Sequence, residues 1–244
     1  MSLATECEIQ SAYRGGDTAA RYVRDRFMAP LHGLLHDKQV RSVQGLIDRV
    51  RPQSVLEIAP GPGRITRDVR PVGALVCLEY NEGMIAEGRA ACGDHVQWVR
   101  GNAFDLPFAA GEFDFAYSFR FVRHFHLADR RRLYDGIRRV LKPGGHFVMD
   151  AVNERVSGPL RRRDPAEYPI YDELYTPDRL RAELADAGFD VVRLEPVQKC
   201  FGWQQRSQIL LGPRANWLNR LVIRGLERLP FRDGLEWIVT CRRA

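Results

Sequence analysis

The run Val55-Leu56-Glu57-Ile58-Ala59-Pro60-Gly61-Pro62-Gly63-Arg64 constrains this chain more than any other stretch. Its aliphatic half reads as a buried strand. It then breaks into a glycine-rich turn, where backbone can approach a ligand that side chains would obstruct. A second apolar run, Ala74 to Leu78, ends in Glu79 and sets a carboxylate at a neighbouring strand tip. An acid beside such a turn implies a nucleoside ligand with a ribose diol. The pattern is E-x-A-x-G-x-G, not the G-x-G-x-x-G of dinucleotide folds: Glu57 lies inside the strand and Ala59 stands where a first glycine could be. Alanine suits that position only if its backbone keeps an ordinary negative φ.

From Ser54 onward strands and helices alternate. Strands are expected near 54–59, 74–79, 96–100, 113–118 and 145–152, with helical stretches near 64–69, 82–91 and 127–141. Repeated βα units imply a parallel sheet with right-handed crossovers. Thr176-Pro177 opens a further helix to about Ala187, Gly188-Phe189 stops it, and Asp190-Val191-Val192 begins a sixth strand. Gly212-Pro213 introduces a basic amphipathic helix to Leu229, and Leu235 to Cys241 reads as the last strand. Ahead of the sheet, apolar spacing predicts helices over 18–28 and 31–50. The domain reading is a helical cap over 1–52 and a Rossmann-like core over 53–244 with a helical insertion near 213–229.

At 244 residues, 45% hydrophobic and 28% charged, the chain suits one soluble α/β domain. No apolar run approaches the ~18 residues of a membrane span. The first residues lack a basic segment followed by an apolar core, so a cytoplasmic location is expected. Five cysteines without C-x-x-C spacing support neither a disulfide framework nor a zinc site. The net charge of +6 is concentrated in residues 201–244, which hold eight arginines against Glu227, Asp233 and Glu236. Solvated arginines on a helix face are the expected reading, ahead of a polyanion site.

Taken together, these segments resemble the class I S-adenosylmethionine-dependent methyltransferase family across roughly residues 53–195. Glu57, Ala59, Gly61 and Gly63 match its motif I, whose turn cradles the methionine part of the cofactor while the strand acid orders it. Glu79 matches the acid that accepts both ribose hydroxyls. Tyr80 and Met84 match positions flanking the adenine. Asn102 and Ala103, within Gly101 to Phe108, resemble a G-D-A-x-x-L-P-F segment that contacts the adenine amine; Asn102 replaces the aspartate and keeps an amide oxygen as acceptor. Phe113 to Ser118 resembles motif IV, and Lys142-Pro143-Gly144-Gly145 the turn before strand five. The resemblance implies a three-layer α/β sandwich with a mostly parallel seven-stranded sheet whose last strand is antiparallel. It also implies S-adenosylmethionine as methyl donor and S-adenosylhomocysteine as product.

Methyl transfer gains most from in-line placement, with a base added where the nucleophile's pKa demands one. Candidates stand where motif IV leaves the sheet, Arg120, Arg123, His124 and His126, with His124 as base and Arg120 on the acceptor. Tyr13 and Tyr22, before the sheet where the resemblance places groups closing over the cofactor carboxylate, are candidate substrate-side residues with packing as the alternative; Tyr171 and Tyr175 after strand five are candidate pocket walls, with core packing as theirs. His32 and His36, one helical turn apart, lack a third ligand and read as surface polar groups; no metal is expected. The helix over 213–229 is expected as a lid packing its apolar stripe on the fold, with a membrane contact or dimer contact as alternatives. A small-molecule acceptor, methylated at oxygen or nitrogen by a monomer or homodimer, is the leading expectation. Methylation of RNA, NAD-dependent oxidoreduction and a non-methylating relative remain open.

Overall fold

The computed structural model describes residues 30–168 and 170–244. The first expected cap helix, with Tyr13 and Tyr22, lies outside the described residues. The second is α1, Pro30–Val50. Then follow β1 Ser54–Ile58, β2 Ala74–Glu79, α2 Glu82–Cys92, β3 Val96–Arg100, β4 Phe113–Ser118, α3 Leu127–Val140 and β5 Leu141–Asn153. After these come α4 Glu154–Arg163, β6 Leu174–Tyr175, α5 Pro177–Asp186, β7 Phe189–Lys199, α6 Phe201–Leu211, α7 Asn216–Arg228 and β8 Gly234–Arg243.

The sheet runs β3-β2-β1-β4-β5-β8-β7. β1 to β5 are parallel where they pair, and β8 lies antiparallel between β5 and β7. The seven expected strands form this path; the eighth, β6, is a two-residue addition along β5, too short to leave a periodic signal. The central strands β1, β2, β4 and β5 bury both faces, as a parallel sheet covered by helices requires. On one side Leu133, Ile137 and Val140 of α3 and Leu180 and Leu184 of α5 join Leu56, Ala116 and Phe147. On the other, Leu35, Val43 and Ile47 of α1 join Val55, Cys77, Phe115 and Val148.

Four segments differ from expectation. The stretch near 64–69 is a turn closed by a 3-10 helix at Thr66–Asp68. Two helices, α4 and α6, were not anticipated; α4 carries Pro159 and Gly158 inside it, which suppress a helix signal. Finally, α7 packs on its own domain through Asn219, Ile223 and Glu227, and not through the apolar stripe. Trp217 is 68% and Leu221 56% exposed. The buried face is polar because it is matched: Ser207 donates to Asn219 at 2.8 Å, and Glu227 accepts from Gln204 Nε2 at 3.1 Å and from the Lys199 backbone N–H at 2.9 Å.

β1 sends the chain to β2 on one side and has β4 on the other. This reversal of strand order opens a crevice beyond the carboxyl ends of the strands, the usual ligand position in open α/β sheets.

Candidate active site

Three strand tips and one turn form the crevice. Ala59, just past β1, has φ 54° and therefore sits in the left-handed region. This overturns the expectation of ordinary backbone: the chain must swing sharply out of the sheet here, and the Ala59 N–H is held by the Leu78 carbonyl at 2.9 Å. Gly61 and Gly63 also have positive φ, 60° and 76°, but for different reasons. A Cβ on Gly61 would enter open space, so the room beside its Cα is free. One on Gly63 would stand 2.5 Å from Cys92 Sγ, so that glycine is needed for α2 to approach.

Glu79 stands across from the turn. Its Oε2 accepts the Gly61 N–H at 3.1 Å, and its Oε1 accepts those of Tyr80 and Asn81, each at 2.9 Å. Burial raises its pKa against the pull of these three donors. Asn81 in turn caps α2 by accepting the Gly83 and Met84 N–H groups. Met84 is buried and Tyr80 is 50% exposed above the crevice. Asn102 uses its amide oxygen on the Phe104 N–H at 3.0 Å, so its NH2 is the group that remains for a base. Ala103 is buried beside it. Ser118, at the tip of β4, donates to the Ile58 carbonyl at 2.8 Å and so pins the two strands that flank the crevice.

Glu57 lies beneath the turn. Thr66 Oγ1 donates to its Oε2 at 2.5 Å and Tyr117 OH at 2.7 Å. Burial pushes its pKa up to about 7, more than these two hydrogen bonds recover. Its part is therefore to tie the 3-10 turn to β4. The cap helix reinforces the same turn: Arg64 donates to Gln39 Oε1 at 2.7 Å and lies 3.1 Å from His36 Nδ1, and His36 Nε2 lies 2.9 Å from Asp68. Burial and Arg64 lower the His36 pKa, so the neutral ring accepts from Arg64 and donates to Asp68. Among the described residues no group of three metal-ligating side chains occurs.

Beyond β4 and β5 stands a buried cluster of charges. Arg123 Nη1 donates to Asp150 at 2.8 Å and to Glu236 at 2.7 Å, while its Nε lies 3.0 Å from Asp172 Oδ1, an ion-pair contact without hydrogen-bond alignment. Burial raises the Asp150 pKa, with Glu236 adding to it. Burial resists ionisation of Glu236 and Asp172 too, yet Arg123 outweighs it and holds both below their usual range. The Arg120 N–H donates to Asp150 Oδ1 at 2.7 Å, with Arg120 itself at φ 58° and its Nε buried without a partner. His124, in a 3-10 turn at Val122–His124, points Nδ1 at the Tyr171 carbonyl, 2.9 Å away, with Asp172 Oδ1 also at 2.9 Å off that axis. A carbonyl acceptor requires the proton on Nδ1 and leaves Nε2 as the basic nitrogen.

The two pocket-wall tyrosines part company. Tyr171 is 40% exposed and its ring lies 4.3 Å from that of His126. Tyr175 is fully buried and donates to Glu183 at 2.8 Å, so it belongs to the core alternative. Glu183 is shared with Arg130, which holds both carboxylate oxygens at 2.7 and 2.8 Å. Sequence reasoning passed over Asp150, Asp172 and Glu236. Asp150 closes the apolar run Phe147 to Met149 much as Glu79 closes its own, and that was the available signal.

Residues 56–149 match the methyltransferase domain family. A demethylmenaquinone methyltransferase of Clavibacter sepedonicus is 30% identical over 153 residues, covering 58% of this chain and 54% of that protein. An O-methyltransferase of Aspergillus nomiae is 26% identical over 181 residues, covering 68% and 77%. The chain spans about half the length, or less, of the first curated relatives it matches. Among solved structures, a Haloferax volcanii putative methyltransferase, in complex with the Trm112 methyltransferase activator, superimposes with a TM-score of 0.64 at 20% identity over 92% of this chain and 93% of that one. The matched domain and the fold together support a class I S-adenosylmethionine-dependent methyltransferase. The residues present fit that cofactor: the open space beside the Gly61 Cα would let it pass over the turn, and the Glu79 carboxylate stands at the matching strand tip.

Proposed function

We propose that this protein transfers a methyl group from S-adenosylmethionine to an ionisable hydroxyl of a small-molecule acceptor, or to a ring carbon that such a hydroxyl activates. The observation that carries the reading is the arrangement of His124, with Nδ1 fixed on the Tyr171 carbonyl and Asp172 beside it. When bound, S-adenosylmethionine supplies an electrophilic sulfonium methyl. Glu79 would take the ribose hydroxyls, the Gly61 turn the methionine part, and Tyr80, Met84, Asn102 and Ala103 the adenine, with Ser118 fixing the crevice between β1 and β4.

His124 Nε2 would remove the hydroxyl proton, and the carboxylate of Asp172 would stabilise the imidazolium that results. Arg120, half-buried with an unpartnered Nε, and Tyr171 would orient the acceptor. Oxygen and activated-carbon methylation share this deprotonation, which accords with relatives named as a C-methyltransferase and as an O-methyltransferase. Nitrogen acceptors need the base less, because a neutral amine already carries its lone pair.

The test is turnover: purified protein, S-adenosylmethionine and a panel of phenols, hydroquinones and aliphatic amines, with S-adenosylhomocysteine as readout. Hydroxylated rings should react, and His124→Asn should lower kcat by about 100-fold, the usual contribution of a general base. Turnover confined to amines, or unchanged in that variant, would refute the assignment of His124.

A further inference from the structure

We propose that the hairpin of α6 and α7 docks this protein onto a bilayer surface carrying anionic lipid. Thirteen large apolar side chains are exposed among the described residues, and eight of them fall between Trp203 and Phe231. Trp203, Leu210, Trp217 and Leu221 are each more than half exposed. An amphipathic helix normally turns its apolar stripe inward. Here the polar residues Gln204, Ser207, Asn219 and Glu227 fill the buried side, joined by the Gln204–Glu227 and Ser207–Asn219 hydrogen bonds, and the stripe faces out.

The ionised groups exposed on the hairpin are all positive. From Trp203 to Arg232 there are six arginines, every one exposed, and the single acid, Glu227, is buried. On α7, Arg220, Arg224 and Arg228 recur at a four-residue spacing and flank the stripe of Leu218, Leu221 and Val222. Arg206 lies over the Trp203 ring, 5.4 Å from its centroid. The positive field continues beyond the hairpin. A cleft of about 810 Å³ between α1 and α7 sets those three α7 arginines with Lys38, Arg41 and Lys199 against only Asp37 and Glu227.

Apolar side chains between cationic ones are the composition of a helix that lies in a membrane interface, with long arginine stems reaching from the acyl boundary to the headgroups. No helix among the described residues is long and apolar enough to cross a membrane, so the contact is to the surface. A second copy of the chain is a poorer occupant, since a symmetric contact would bring like charges together. RNA would account for the arginines and leave Leu210, Leu218 and Leu221 unexplained.

The experiment is co-sedimentation of the full chain with phosphatidylcholine vesicles, with and without phosphatidylglycerol, and needs no turnover, so it is independent of the acceptor. Binding is expected only with phosphatidylglycerol, falling as salt rises, with a blue shift in tryptophan emission. Trp217→Ser/Leu221→Ser should abolish it, and Arg224→Glu should lower the partition coefficient at least about fivefold, the worth of one basic residue at an anionic surface. All three positions are exposed, and unchanged melting temperatures would establish that the variants are folded. No binding to either vesicle overturns the proposal. So does binding that needs Arg224 yet ignores the apolar pair, which would mark a polyanion surface, or a dimer dissolved by the apolar pair without vesicle binding, which would mark a second copy.

Discussion

Glu79 accepts the Gly61 N–H at 3.1 Å, so the acid at the tip of β2 and the glycine turn after β1 form one unit before any ligand arrives. Two more backbone N–H groups fix the same carboxylate. Its position is therefore set by β2 and α2, and Glu79→Ala should leave the fold intact while removing the acceptor for a ribose diol. Hydrogen bonds to a charged group contribute about 1.5–3 kcal/mol each, so affinity for S-adenosylhomocysteine should fall at least about tenfold. Titration calorimetry measures this directly, and an unchanged affinity would count against the ribose assignment.

Glu57 makes stability depend on pH in a direction opposite to most carboxylates. Its pKa rises from 4.5 unfolded to about 7 folded, because burial disfavours the charge. The protonated folded form is thus favoured fully below about 4.5, and the advantage is lost as pH rises to 7. At 1.36 kcal/mol for each pH unit the swing is about 3 kcal/mol. Glu57→Gln keeps an acceptor for Thr66 and Tyr117 but does not titrate. Urea unfolding across pH 5 to 8 should show the wild type losing stability relative to this variant as pH rises; parallel curves would mean that Glu57 does not ionise in that range.

Much of this was legible because it is periodic or local. The strand-acid-turn of 55–63, the acid after 74–78 and the Thr176 cap before α5 each follow from adjacent residues, and the structure carries all three. The charge cluster was not legible, because Arg123, Asp150, Asp172 and Glu236 meet across up to 113 positions and only the sheet order brings them together. The α7 stripe misled for the complementary reason. Helical periodicity tells which residues share a face; it does not tell which face docks when polar residues such as Asn219 find partners on α6.

Ala59 carries a small backbone penalty that glycine would relieve. At φ 54° a Cβ costs about 1–2 kcal/mol, offset in part by the ~0.4–1 kcal/mol that glycine loses to the flexibility of the unfolded chain. Ala59→Gly should therefore be neutral or stabilising by up to about 1.6 kcal/mol, and Ala59→Val should be clearly destabilising because β-branched residues tolerate this region worst. Thermal unfolding of the three proteins gives the order Gly, Ala, Val. A glycine variant much less stable than wild type would mean that the methyl's packing outweighs the strain.

Arg123 is surrounded by three carboxylates in a site that water does not reach, and removing it strands them. Arg123→Met should cost about 3–5 kcal/mol, the usual price of uncompensated buried charge. Arg123→Lys should recover part of this, since an ammonium keeps the charge but cannot span Asp150, Glu236 and Asp172 as the guanidinium does. The deficit should also depend on pH. Asp172 and Glu236 are held low by Arg123, so the stability they contribute is present above their unfolded pKa values and is lost as pH falls through their folded ones. In the methionine variant both can take up protons at higher pH, and the gap from wild type should narrow steadily on acidification. Urea unfolding of the wild type and both variants at pH 7 and pH 4.5 tests each part, and a gap that stays constant would show that the cluster's worth lies in packing and not in its charges.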